Sequence, residues 1–167
     1  IVENNTMVSV EGGVILMYAK SNFSQFYKPN VLEGKVDPVC TTIIRNNDIT
    51  LNNNKTTVGI RAYGMTKEEV NKAIMTKAGV GYDDFTVSGI TITDNIIRNA
   101  KVDGIGLVGT VKSTVSNNKI YYGNDLTVEE SNANGKGIYL KSSSSNTVSN
   151  NIVDNSNGCN NLKHGML

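Results

Sequence analysis

Five times the chain sets an Asn, or an Asp followed by Asn, between β-branched or apolar residues. The copies are VENNTM from Val2, IRNNDI from Ile44, ITDNII from Ile92, VSNNKI from Val115 and VSNNIV from Val148. Asn is a poor former of helices and of strand interiors. A pair of them that recurs in this setting marks a turn that the fold uses repeatedly. A second motif alternates with the first: GVIL from Gly13, GIRA from Gly59, GIGL from Gly104 and GIYL from Gly137, with GML from Gly165 starting a further copy. Unrelated turns in a β-sandwich would account for the asparagines but not for a Gly-aliphatic partner that always falls between them.

The Asn motifs are separated by 42, 48, 23 and 33 residues. The shortest interval suits one coil of a β-solenoid, and the longer ones suit a coil plus an insertion. Each coil then holds a strand at Gly-Ile-x-Leu, a turn, a short strand, a corner at the Asn pair and a third strand. Alternation along a strand predicts that Ile105 and Leu107 point inward with Gly106 outward, and that Val115 and Ile120 point inward across the corner. The second residue of each pair is expected to take the positive φ of a tight corner, which Asn tolerates better than any residue but Gly. Coils stacked about 4.8 Å apart would also place Asn5, Asn47, Asn95, Asn118 and Asn151 in a file, with amides bonded along the stack.

Composition agrees with many short strands. Asn supplies 24 of the 167 residues, Trp is absent and Pro occurs twice. Disorder would explain the asparagines only in the absence of the Ile, Val and Thr that flank them. A net charge of +1 gives no field to draw the chain to nucleic acid, and no apolar run is long enough for membrane insertion. The chain begins at Ile1 rather than Met and reads as one β-helix domain over 1–167, a piece of something longer. Cys40 and Cys159 fall about three coils apart, on the order of 14 Å, too far for a disulfide.

Three insertions interrupt the short period, at 20–41, 64–89 and 121–136. The second contains TKEEVNKAIMTKAG, which predicts a helix near 66–78 from the Thr66/Glu69 capping box and a stop at Gly79. All three border the Gly-Ile-x-Leu sheet and could wall a groove over it. Counting from each Gly, the outward positions are Ile15, Arg61, Gly106 and Tyr139; then Met17, Tyr63, Val108 and Lys141; and, one before the Gly, Gly12, Val58, Asp103, Lys136 and His164. Arg61, Tyr63, Lys136, Tyr139 and Lys141 therefore form a basic, aromatic floor, suited to stacking on sugars and to pairing with acidic groups of a polymer.

With corners such as VSNNKI and strands such as DGIGL and KGIYL, nearly the whole chain resembles the right-handed parallel β-helix superfamily. That group takes in pectate lyases, periplasmic copper-site-type β-helix repeats and the central domains of phage tailspikes. The resemblance implies an all-β, single-stranded right-handed parallel β-helix of about five coils. It fixes no activity, since one scaffold hosts many chemistries.

Glycoside hydrolysis uses two carboxylates about 5–10 Å apart. The floor offers Asp103, and Asp83 and Asp84 in GYDDF are further candidates; Arg61 could imitate the arginine base of pectate-lyase-like enzymes. No acidic ladder faces Arg61, and Lys-His-Gly at 163–165 keeps only half of the Gly-His-Gly signature of polygalacturonases. One His alone makes neither a metal site nor a triad, so no cofactor is expected, with calcium only for a lyase. The leading expectation is an extracellular, cell-surface or virion-associated fibre or tailspike type of protein that recognises a polysaccharide, acidic or neutral, through the Gly-Ile-x-Leu sheet. It would form a homo-oligomer, a trimer by resemblance to tailspikes. A polysaccharide lyase or glycoside hydrolase, and a purely structural spacer, are the alternatives.

Overall fold

A computed structural model describes residues 1–10, 12–17, 42–52, 58–64, 87–123, 135–157 and 162–166. Coil 1 contains β1 (Val2–Glu3), β2 (Thr6–Val10) and β3 (Gly12–Met17). Coil 2 follows with β4 (Ile43–Arg45), β5 (Asp48–Leu51) and β6 (Val58–Tyr63). Coil 3 holds β7 (Val87–Ser88), β8 (Thr91–Thr93), β9 (Ile96–Ala100) and β10 (Asp103–Val108). Coil 4 adds β11 (Thr110–Val111), β12 (Thr114–Ser116), β13 (Lys119–Tyr122) and β14 (Gly135–Lys141). Coil 5 ends with β15 (Thr147–Ser149), β16 (Ile152–Asp154) and β17 (Leu162–Met166).

Like strands of successive coils pair in parallel. Sheet A runs β1-β4-β8-β12-β15, sheet B β2-β5-β9-β13-β16 and sheet C β3-β6-β10-β14-β17, while β7 and β11 form a small fourth ribbon. Parallel crossovers of this kind wind right-handed. Every described element is a strand, and the helix expected near 66–78 lies outside the described residues. Some residues placed by sequence in insertions are strand: Val87–Ser88, Tyr121–Tyr122 and Gly135–Lys136 extend the coils.

Alternation puts one apolar column from each sheet into the interior. Ile44, Ile92 and Val115 of sheet A, Ile49, Ile97 and Ile120 of sheet B, and Ile60, Ile105 and Leu107 of sheet C are all fully buried. Burying such a side chain contributes roughly 1.5–3 kcal/mol, and stacking identical residues lets each methyl group fill the gap between two neighbours. The Gly of Gly-Ile-x-Leu sits where sheet C turns inward over sheet B of the next coil. A Cβ on Gly104 would lie 2.6 Å from the carbonyl oxygen of Gly137 and 2.7 Å from Cγ2 of Ile120. That close approach of backbone to side chain is the reason for the glycine.

The corner between sheets A and B divides its work between two residues. Positive φ falls on the first of each pair, Asn4, Asn46, Asp94, Asn117 and Asn150, at 53–58°. This corrects the expectation that the second residue bends the chain. The second residue turns inward. Asn118 donates from Nδ2 to Oδ1 of Asn151 (2.9 Å) and to the carbonyls of Ile92 (2.9 Å) and Ser116 (3.0 Å). Its own Oδ1 accepts from the backbone N–H and the Nδ2 of Asn95. Asn47 and Asn95 repeat the pattern, which runs unbroken from Asn5 to Asn151. Asp94 replaces Asn at one bend because only a short side chain tolerant of left-handed backbone is needed there.

A second polar file, not anticipated from the sequence, guards the corner that precedes sheet A in the upper coils. Ser113 Oγ accepts from the N–H of Ile90, and Asn146 Oδ1 accepts from the N–H of Ser113 at 2.9 Å. Lys112 and Ser145 take the positive φ there, at 50° and 56°.

Candidate functional site

Sheet C carries the floor residues, and its register agrees with the columns counted from the glycines. Ile15, Arg61, Gly106 and Tyr139 are partners across neighbouring strands, as are Met17, Tyr63, Val108 and Lys141. Asp103, Lys136 and His164 form the third column. Arg61 lies between Ile60 and Ala62, both fully buried, so its side chain points outward.

Asp103 stands two residues before the core residue Ile105, yet it faces outward and pairs with Arg61. Simple alternation would put both on one side. The bend at Gly104 breaks the alternation and brings the preceding residue onto the outer face. Arg61 reaches Asp103 diagonally, because its direct neighbour Gly106 has no side chain to obstruct it. A Cβ on Gly106 would lie 3.5 Å from Nε and 3.6 Å from Cγ of Arg61. This pairing is the contact that reading one column at a time misses. A glycine beside an outward arginine was its available signal.

The pair is recessed. Arg61 and Asp103 side chains are 21% and 5% exposed, and Val108 on the same face is buried as well. Oδ2 of Asp103 accepts from Arg61, whereas Oδ1 is buried and makes no hydrogen bond. Lys136 Nζ stands 4.0 Å from that oxygen and 4.9 Å from the centroid of the Tyr139 ring. One ammonium thus lies between a carboxylate and an aromatic face, both of which attract it. Towards coils 4 and 5 the face opens: Tyr139 is half-buried, and Lys141 and His164 are exposed.

Along the five strands of sheet C the basic residues are Arg61, Lys136, Lys141 and Lys163, against the single carboxylate of Asp103. The described strands therefore bring no second carboxylate to Asp103 for acid–base work on a glycosidic bond. Arg61, the candidate base, is held in an ion pair. Asp83 and Asp84 lie outside the described residues, as do Cys40 and Cys159.

Stacked coils, an internal asparagine file and one basic, aromatic sheet face define a right-handed parallel β-helix protein. Residues 39–165 match the family model described as periplasmic copper-binding protein (NosD), and the chain belongs to that family. No curated protein and no solved structure matches it. No helix among the described residues is long and apolar enough to cross a membrane.

Copper, which the family description implies, needs imidazole, thiolate or thioether donors converging on one point. His164 is in register with the outward Lys136, and Met166, which is also exposed, with the core residue Ile138. Among the described residues no three of His, Cys, Asp and Glu come together. These residues do not fit a copper centre, nor do they assemble a calcium site of the lyase kind.

Proposed function

We propose that this periplasmic-type β-helix binds an acidic polysaccharide along the outer face of sheet C, with contact made chiefly at coils 4 and 5. The observation that carries this reading is the Lys136 ammonium held over the Tyr139 ring at 4.9 Å, beside the exposed Lys141. A pyranose ring presents a C–H face that packs on an aromatic ring, and its uronate or sulfate group pairs with an ammonium. Both partners occur here on one strand, with side chains projecting from the same sheet. Arg61 and Asp103 underlie the contact surface and hold the floor in shape. Tyr63 continues the Lys141 column towards coil 1.

Binding is favoured over cleavage by the pairing of Arg61 with Asp103, since each neutralises the group the other would use as base or acid. A stacked, register-locked sheet also suits a linear polymer running along the coil axis, because equivalent outward positions recur about every 4.8 Å. Placement at a cell or virion surface, and assembly into a homo-oligomer, belong to the same proposal.

Titration calorimetry with uronate oligosaccharides tests it. The Tyr139→Ala, Lys141→Ala double variant should weaken binding by roughly a hundredfold, by analogy with the loss of two contact residues at an interface. Undiminished affinity in a folded double variant would remove this face from consideration. Appearance of unsaturated products during the titration would favour a lyase instead.

A further inference from the structure

We infer that this β-helix unit holds no copper(II) site of its own, although the family to which it belongs is described as copper-binding. Copper(II) prefers a tetragonal set of nitrogen and oxygen ligands in which imidazole is the strong member. The whole sequence contains one His and two Cys, and both Cys lie outside the described residues, so a copper(II) site among the described residues must be completed around His164 by weaker groups.

Among the described residues, its surroundings do not supply them. One coil away in the His164 column is Lys136, an ammonium, and two coils away is Asp103. Two coils span about 9.6 Å, whereas two ligands of one metal at about 2.0–2.2 Å can be no more than about 4.4 Å apart. Asp103 is in any case committed to Arg61 and faces Lys136. A divalent cation at His164 would therefore meet an ammonium before it met a carboxylate. Met166, the nearest thioether in sequence, is aligned with the core residue Ile138 rather than with Lys136, and its side chain is exposed. The outward column follows from the bend at glycine, which sends the residue before it outward.

Copper handling in this family would then depend on donors that these coils do not provide, with the solenoid serving as a shaped support. The test uses the chain as it is, with copper(II) chloride as probe. The protein is loaded, passed through a desalting column in the presence of an equal concentration of free histidine, and assayed for metal. The inference expects no more than about a tenth of an equivalent retained, and no protein-bound copper(II) signal in electron paramagnetic resonance. Retention of about one equivalent would overturn it whichever side chain is responsible. His164→Ala and the Cys40→Ser, Cys159→Ser pair would then identify the ligand. The readout is metal content and a spectrum, so it stands or falls separately from polysaccharide binding.

Discussion

Asn95 and Asn118, 23 residues apart in sequence, meet across one coil: the backbone N–H and the Nδ2 of Asn95 both donate to Oδ1 of Asn118, at 3.0 and 2.9 Å. Both residues are fully buried. The cost of burying an amide is offset only when its donors and acceptor are satisfied, and here each link satisfies the next. Asn118→Ala removes the acceptor of two donors and also the donor to two carbonyls. A loss of about 2–4 kcal/mol is expected in denaturant unfolding. Asn5 is exposed and bonds to a neighbour on one side only, so Asn5→Ala should cost about 1 kcal/mol or less. Equal losses at the two sites would show that the file does not act as a linked unit.

The bend itself is a separate function, and Asn117 performs it at φ 57°. Its side chain is exposed, so substitution reads backbone conformation with little interference from packing. Asn117→Ala should destabilise by about 1 kcal/mol, whereas Asn117→Gly should stay within about 0.5 kcal/mol of the parent. A β-branched residue, Asn117→Val, should be worse than Ala. If Gly proved as costly as Ala, positive φ would not be what the position requires.

Two glycines on one strand make opposite demands. At Gly104 a Cβ would press on the Gly137 carbonyl oxygen at 2.6 Å and on Ile120 at 2.7 Å, and the first of these is backbone. Gly104→Ala should therefore cost about 3 kcal/mol or prevent folding. At Gly106 the nearest atoms stand at 3.5–3.8 Å, ordinary contact, and Gly106→Ala should leave the melting temperature within a few degrees. Larger side chains at 106 would meet Arg61 and Tyr139. Circular dichroism melts of the two alanine variants check the contrast.

How far the fold was legible follows from these same residues. A solenoid repeats its constraints, so the Asn and Gly motifs exposed coil number, register and core columns without any long-range inference. Which Asn of a pair bends and which one bonds was not legible, because both are the same residue and only Asp94, at a bending position, differs in kind. The Arg61–Asp103 contact was hidden for another reason. It runs diagonally between strands and depends on the bend at Gly104, whereas column counting sees only direct neighbours. The upper-corner file through Ser113 and Asn146 lacks a repeated motif, since Ser and Asn perform the same hydrogen bonding with different letters.

Arg61 and Asp103 offer the sharpest test of how the candidate site is held. Their side chains are 21% and 5% exposed, and Asp103 has one oxygen without a hydrogen bond. Arg61→Ala leaves a carboxylate in a recess with Lys136 at 4.0 Å as remaining counter-charge. Removing one member of such a pair is strongly destabilising, by about 3–5 kcal/mol when burial is complete and less here because Arg61 is partly wetted. Asp103→Asn keeps the shape, removes the charge and should cost less than Arg61→Ala. Replacing both together, Arg61→Met with Asp103→Leu, should recover much of the loss, because a well-packed apolar pair needs no counter-ion. The measurement is a double-mutant cycle by denaturant unfolding, and a coupling energy below about 0.5 kcal/mol would mean that the two groups act independently. Polysaccharide titrations on the same variants separate support from contact: if Arg61 and Asp103 only shape the floor, the double replacement restores affinity along with stability.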